Sequence, residues 1–334
     1  MGARFLPRLV NGPFADPVLF VPFRHEKRTL LFDLGDISAL SSRDILKISH
    51  IFITHTHMDH FCGFDRVLRL LLGRDKELFL YGPRGFLVNL AGKLAGYCWN
   101  LVEGYQNRFI LHATELHPGR ALCCSYPCHK GFAAEGDIRE VPFDGVVIDE
   151  AGLTVRAVHL DHGIPVLAFR LDERFHVNII TTALDELGLA AGPWLNRFKR
   201  MILEDVDPET VIEVPRSDPD APSVSMPLKM LKARIVRISP GQQLAYVADV
   251  GGTTSNLDTL VDFAQGVDHL FVEASFSHKH RDIALQKHHL TARQAGTLAR
   301  QCRAKQYRLH HYSPRYTDCP EILEEEASRA FQDK

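Results

Sequence analysis

Apolar and polar positions follow two periods along this chain. Short apolar runs bounded by glycine, proline or charged residues read as strands at 28–32, 50–54, 78–81, 244–248, 269–272 and 306–309. Two more, 155–160 and 166–171, flank Gly163 and Pro165 and read as a hairpin. Stretches of helical period fall between them. At 65–72, Val67, Leu68, Leu71 and Leu72 form one apolar stripe, continuing a helix begun just upstream. Pro83 stands where a helix can start. The windows 257–264, 291–302 and 321–331 read as helices. Strands alternating with helices, with some hairpins, predict an α/β chain built as a two-sheet sandwich flanked by helices.

Composition narrows this modestly. The 334 residues can bury a sizeable core as one large domain or two, and 45% apolar with 24% charged residues is ordinary globular usage. A formal net charge of −2 argues against broad, nonspecific nucleic-acid binding but leaves room for a local basic patch. The seven cysteines are scattered. Cys123, Cys124 and Cys128 lack a Cys-x-x-Cys spacing and read as reduced thiols rather than a zinc site. No leader-like apolar segment opens the chain, and no run approaches the ~18 apolar residues of a membrane span. We expect a cytoplasmic protein with no membrane partner.

The candidate chemistry sits at strand ends. The run 50–54 is followed by His55-Thr56-His57-Met58-Asp59-His60. Three imidazoles and a carboxylate in so short a turn suit two adjacent divalent ions. His55 and His57, two apart, point the same way and can share one ion; Asp59 and His60, past the bend, can reach a second. Further strand ends follow in order: His159-Leu160-Asp161-His162 before Gly163; Asp249 before Gly251 and Gly252; and His310-His311 before Ser313 and Pro314. A lone strand-end histidine is usually a hydrogen-bonding group. Four such sites in succession point to metal.

Together these motifs resemble the metallo-β-lactamase fold, an αββα sandwich, and within it the ribonuclease Z branch of tRNA 3′-processing endonucleases. The resemblance spans about residues 30 to 316. It implies that His55, His57 and His162 hold one ion, that Asp59, His60 and His311 hold the other, and that Asp249 bridges them. His162 rather than His159 matches the family's His-Gly-x-Pro-like turn, and His311 rather than His310 its His-Phe-Ser-x-Arg-Tyr-like segment. Ser313 and Arg315 in that segment are candidate substrate contacts. His289-Leu290-Thr291-Ala292 resembles the branch's His-Ser-Thr-Ala element, and Phe271-Val272-Glu273-Ala274 its Glu-Ala-Thr-Phe strand end. By resemblance His289 is catalytic, Glu273 orients it, and Asp59 both ligates metal and handles a proton. The family's ions are two, most often zinc; manganese and iron accept the same donors.

The resemblance also implies a single domain over 1–334 with an arm-like insertion around 186–235, precursor tRNA as partner, and a homodimer. In the arm region, Gly192-Pro193 breaks the chain before a basic stretch. Arg197 and Lys199 there can meet phosphates, and Trp194 and Phe198 either stack on bases or turn into the core beneath a short surface helix. The chain departs from the family at its opening segment 5–12, at 61–65, and at Val250 and Leu290. These departures leave every ligand in place and bear on the substrate. The leading expectation is a phosphodiester hydrolase of the tRNA-processing type. The alternative is a small-molecule hydrolase on the same scaffold, acting on a cyclic or other phosphodiester, a lactone or a sulfate ester.

Overall fold

The apolar runs become strands where both faces can be covered. The computed structural model describes residues 4–24 and 26–333; residues 1–3, 25 and 334 of the expected domain lie outside it. The first sheet has eight strands, in chain order: β1 (Arg8–Leu9), β2 (Leu19–Pro22), β3 (Thr29–Phe32), β4 (Ile48–Phe52), β5 (Lys76–Gly82), β6 (Phe109–His117), β7 (Gly119–Pro127) and β8 (Arg139–Phe143). From β3 to β6 the pairing is parallel, and the flanking strands are antiparallel. One face packs Leu31, Ile51, Leu78 and Leu80 with the helices Phe64–Leu71 and Phe86–Ala95.

The chain continues through β9 (Val146–Glu150), β10 (Leu153–Asp161) and β11 (Pro165–Glu173). It then builds a smaller element group with β12 (Phe175–Ile179), β13 (Val211–Val214), β14 (Val224–Pro227) and β15 (Val236–Pro240), and returns as β16 (Gln243–Val247), β17 (His269–Glu273) and β18 (Gln306–His310). The second sheet runs β18-β17-β16-β11-β10-β9, with β16, β17 and β18 parallel. Its outer face packs the helices Thr254–Phe263, Ala292–Gln301 and Glu321–Gln332 through Leu260, Leu298 and Leu323. The sheets meet through rings: Phe52 lies 5.4 Å from Phe169, and Phe32 6.0 Å from Tyr246.

Contacts divide the chain into two compact units. The larger comprises Phe5–Val147, Val155–Leu171 and the chain from Gln243 onward; the smaller comprises Ile148–Thr154 and Asp172–Gln242 together with Arg4. The smaller unit has its own core of Phe198, Val214, Leu231 and Ile235, with β12 pairing β15 and β13 pairing β14.

Three local expectations change. The helix expected from Pro83 begins at Phe86, because Gly85 at φ 94° breaks the chain between them. The helix at the metal motif is two pieces, Met58–Phe61 and Phe64–Leu71, separated at Cys62 and Gly63. The long β6–β7 hairpin carrying Cys123 and Cys124 was not expected at all. No helix among the described residues is long and apolar enough to cross a membrane.

Candidate metal centre

Parallel strands end at the same edge of a sheet, so β3 and β4 deliver Asp33 and His55 side by side. Asp33 is fully buried and accepts hydrogen bonds from the Thr54 amide (2.7 Å), Thr54 Oγ1 (2.9 Å), His60 Nδ1 (2.8 Å) and Tyr246 Oη (3.0 Å). It ties the metal motif to both sheets. The sequence reading passed over it, although an apolar run ending in aspartate and followed by Gly35 is the same signal that flagged Asp249. Asp33 (φ 57°), His288 (φ 57°) and His311 (φ 60°) all hold left-handed backbone without being glycine.

Two donor groups form, sharing Asp249. His55, His57, His162 and Asp249 place one ligand atom each within 4.8 Å of one another, and so do Asp59, His60, Asp249 and His311. Three imidazoles turn Nε2 toward Asp249 Oδ2, at 3.4 Å from His60, 3.6 Å from His162 and 3.8 Å from His55. Those separations are too long for good hydrogen bonds. The opposite nitrogens are held: His60 Nδ1 by Asp33, His162 Nδ1 by the His288 carbonyl at 2.6 Å, and His55 Nδ1 at 3.0 Å from Thr54 Oγ1. A held Nδ1 sets the ring so that Nε2 offers its lone pair inward.

The donor set fits divalent metal. His60 Nε2 is buried with no hydrogen-bond partner, an arrangement that needs an explanation such as an ion, and Asp249 Oδ1 meets only an imidazole, His311 Nδ1 at 3.0 Å. Imidazoles and carboxylates in this number suit zinc, manganese or iron. Burial lowers the His60 pKa, but Asp249 and Asp33 outweigh it and raise it to about 10. Burial and the neighbouring His60 drive His55 down to about 2. Burial raises Asp249, yet His311 and His60 hold it well below the usual carboxylate range. Burial likewise raises Asp59, but its hydrogen bond with His311 brings it to about 2. The carboxylates are therefore charged, ready to take cations in place of imidazole protons.

A third group adjoins the second. Glu273, at the end of β17, is fully buried. Its Oε1 accepts from the Val250 amide (2.8 Å) and His289 Nδ1 (3.1 Å), and its Oε2 from Ser275 Oγ (2.8 Å). Burial lowers the His289 pKa, but the Glu273 charge and hydrogen bond leave it raised overall. His289 and His311 rings lie 5.4 Å apart.

The other candidates separate cleanly. His159 stands outside the donor groups, with Nε2 3.1 Å from the Leu116 carbonyl. His310 is buried flat against Tyr246, ring centroids 5.2 Å apart, and burial drives it down to about 3. Ser313 caps the turn Pro314–Tyr316, accepting from the Arg315 amide at 3.4 Å, and leaves Arg315 exposed. Arg197 is exposed and Lys199 half-buried on the helix Trp194–Leu203 of the smaller unit, and burial lowers Lys199. Of the two readings of that helix's aromatics, packing into the core holds and base stacking does not. Phe198 is fully buried in the unit's core, and Trp194 packs against it while donating to the Ala190 carbonyl at 2.8 Å.

Known proteins bear on the same arrangement. No family profile matches the chain. It is similar to the metallo-β-lactamase fold protein YhfI from Bacillus subtilis, with TM-score 0.55 and 14% identity over 97% of this chain and 92% of that one. It is also similar to the short form of human tRNase Z, with TM-score 0.50 and 19% identity over 93% and 92%. These likenesses establish the metallo-β-lactamase fold. In sequence the chain is 31% identical over 315 residues to ribonuclease Z of Deinococcus radiodurans, covering 93% of this chain and 90% of that protein. The chain belongs to the ribonuclease Z family.

Proposed function

We propose that this protein is a metal-dependent endoribonuclease that removes the 3′ extension of precursor tRNA. The observation that carries the reading is the pair of donor groups sharing Asp249, in a chain related to a ribonuclease Z over nearly its whole length. His55, His57 and His162 would hold one ion, Asp59, His60 and His311 the other, and Asp249 both. We assign zinc, with manganese and iron as acceptable occupants. Two such ions, when bound, lower the pKa of water toward neutrality and offset charge in an in-line displacement at phosphorus.

The chain's own groups supply the rest. Asp59 is 40% exposed at its side chain and opens the donor group to solvent, where its carboxylate orients water and accepts a proton. His289, anchored at Nδ1 by Glu273, has Nε2 for a proton aimed at the leaving oxygen. The Glu273 charge and hydrogen bond favour that proton, raising the His289 pKa against the effect of burial. Arg315 and Ser313 would meet the RNA near His311, and Arg197 and Lys199 would meet phosphates elsewhere. The smaller unit, which includes 186–235, would be the tRNA-binding arm. We extend the family reading to a cytoplasmic homodimer.

The test is to incubate the zinc- or manganese-loaded protein with a 3′-extended precursor tRNA and map the product ends, with His289→Ala and an aryl phosphodiester in parallel. A single cut just after the acceptor stem, lost in the variant, supports the reading. Hydrolysis of the aryl diester with the RNA left intact sinks it in favour of a small-molecule hydrolase.

A further inference from the structure

Beside the donor groups the chain exposes apolar side chains from three separate segments. Met58, between His57 and Asp59, is 83% exposed; Ile164, two residues past His162, is 36% exposed; and Leu285 is 62% exposed. Short contacts link these positions. The His57 and His162 rings are 5.4 Å apart. His162 Nδ1 reaches the His288 carbonyl at 2.6 Å, and the His288 amide donates to the Leu285 carbonyl at 3.2 Å. Gly163, at φ 75°, lies so close to His288 that a Cβ would come within 3.1 Å of that ring. His288 in turn holds a left-handed φ of 57°. This conformation is uncommon for a residue with a side chain, and here it accompanies a turn on which Lys287 and His288 are both exposed.

One exposed methionine or leucine is ordinary on a protein surface. Three from separate segments, linked through His57, His162 and the His288 turn, with Lys287 exposed on that turn, make a mixed rim. Duplex nucleic acid presents chiefly phosphates and calls for cations. A small aryl leaving group calls for apolar contact. Unpaired nucleotides offer base faces and phosphates together. Resting on the endoribonuclease reading, we propose that this rim seats the unpaired nucleotide adjoining the scissile phosphate. Met58 and Ile164 lie against its base, Leu285 extends that surface, and Lys287 meets the next phosphate.

The test combines Met58→Ser with removal of one base from the substrate. With the metal-loaded enzyme and a 3′-extended tRNA, deleting the base of the first trailer nucleotide is expected to raise KM about 5- to 30-fold. Met58→Ser should raise KM for the intact RNA by a similar factor and make it indifferent to the missing base, because both changes remove one contact. Lys287→Ala should raise KM for both RNAs equally and reduce the slope of log KM against log salt by about one. Additive effects of Met58→Ser and the abasic site overturn the proposal, as does an unchanged KM. If the wild type cuts neither RNA, the endoribonuclease reading has failed on its own. The rim is then judged by fluorescence anisotropy with a labelled single-stranded hexanucleotide and a labelled hairpin. Preference for the single strand, lost in Met58→Ser, sustains the rim; no preference overturns it.

Discussion

Glu273 is a buried carboxylate that accepts from His289, Ser275 and the Val250 amide. Burial alone would make His289 a poor proton carrier, but the Glu273 charge reverses this and leaves the His289 pKa above its ordinary value. A proton donor with a raised pKa holds its proton to higher pH than a free imidazole and unloads as pH passes that raised value. Glu273→Gln keeps the shape and removes the charge, so unloading should begin at lower pH. The alkaline limb of kcat against pH should shift toward acid, with kcat in mildly alkaline buffer down on the order of 10- to 100-fold. A limb that stays in place would assign it to another group. Asp33 acts one step further from the chemistry, since it holds the ring whose Nε2 faces Asp249. Asp33→Asn removes the charge that fixes His60 Nδ1 and leaves one oxygen to serve four donors. Affinity for divalent ions should fall about 10- to 100-fold, as measured by competition with a chelator; unchanged affinity would show that packing alone positions His60.

At the scale of elements, the loop after β3 and the short helix Met58–Phe61 approach closer than side chains permit. A Cβ on Gly35 would lie 2.5 Å from the Asp59 carbonyl, and one on Gly63 2.3 Å from the Gly35 carbonyl. Backbone bonds close this contact, from the Leu34 amide to the His60 carbonyl (2.9 Å) and from the Gly63 amide to the Leu34 carbonyl (2.8 Å). Gly35→Ala must push the helix that carries Asp59 and His60 outward. It should cost about 1–3 kcal/mol, seen as a lower urea midpoint at constant slope, and should weaken metal binding as well. The same contact shows what could be read from sequence. The strand ends bearing His55, His162, Asp249 and His311 were legible, because an apolar run ending in a ligand type and broken by glycine is a local pattern. The choice of His162 over His159, and of His311 over His310, came from family likeness. In the structure it has a physical basis: His310 is stacked under Tyr246 while His311 turns at φ 60° into the donor group. Asp33 was not legible as a hub, because its partners Thr54, His60 and Tyr246 come from distant parts of the chain. Nor were β12 and β15, whose pairing joins Phe175 to Pro240 across the whole smaller unit. Phe198 was left open between base stacking and core packing for a related reason. Its helix has a wet face and a packed one, and only the fold shows which side the aromatic takes.

At the scale of the whole molecule, the smaller unit can be tested by removing it. Its core of Phe198, Val214, Leu231 and Ile235 is drawn from within 172–242, while the clusters on the two large sheets are drawn from the rest of the chain. The base of the unit is the antiparallel pair β12–β15, where Phe175 faces Pro240. Excising 176–239 and joining these neighbours by a short glycine-containing turn closes the chain where it already comes together. The unit carries acidic as well as basic residues, so an RNA contact would come from a local patch. Exposed Lys232 and Arg234 end the helix Leu228–Ile235, and Arg237 follows on β15. Each phosphate that such residues neutralise contributes to affinity in a salt-dependent way. The excised protein should therefore bind precursor tRNA at least about 10-fold more weakly, with a flatter dependence on salt, while still hydrolysing an aryl phosphodiester, since every donor residue lies in the larger unit. Loss of both activities would mean that the larger unit depends on the smaller for its fold. Retention of full RNA affinity would remove the arm from the functional reading and shift the RNA-binding surface to the larger unit.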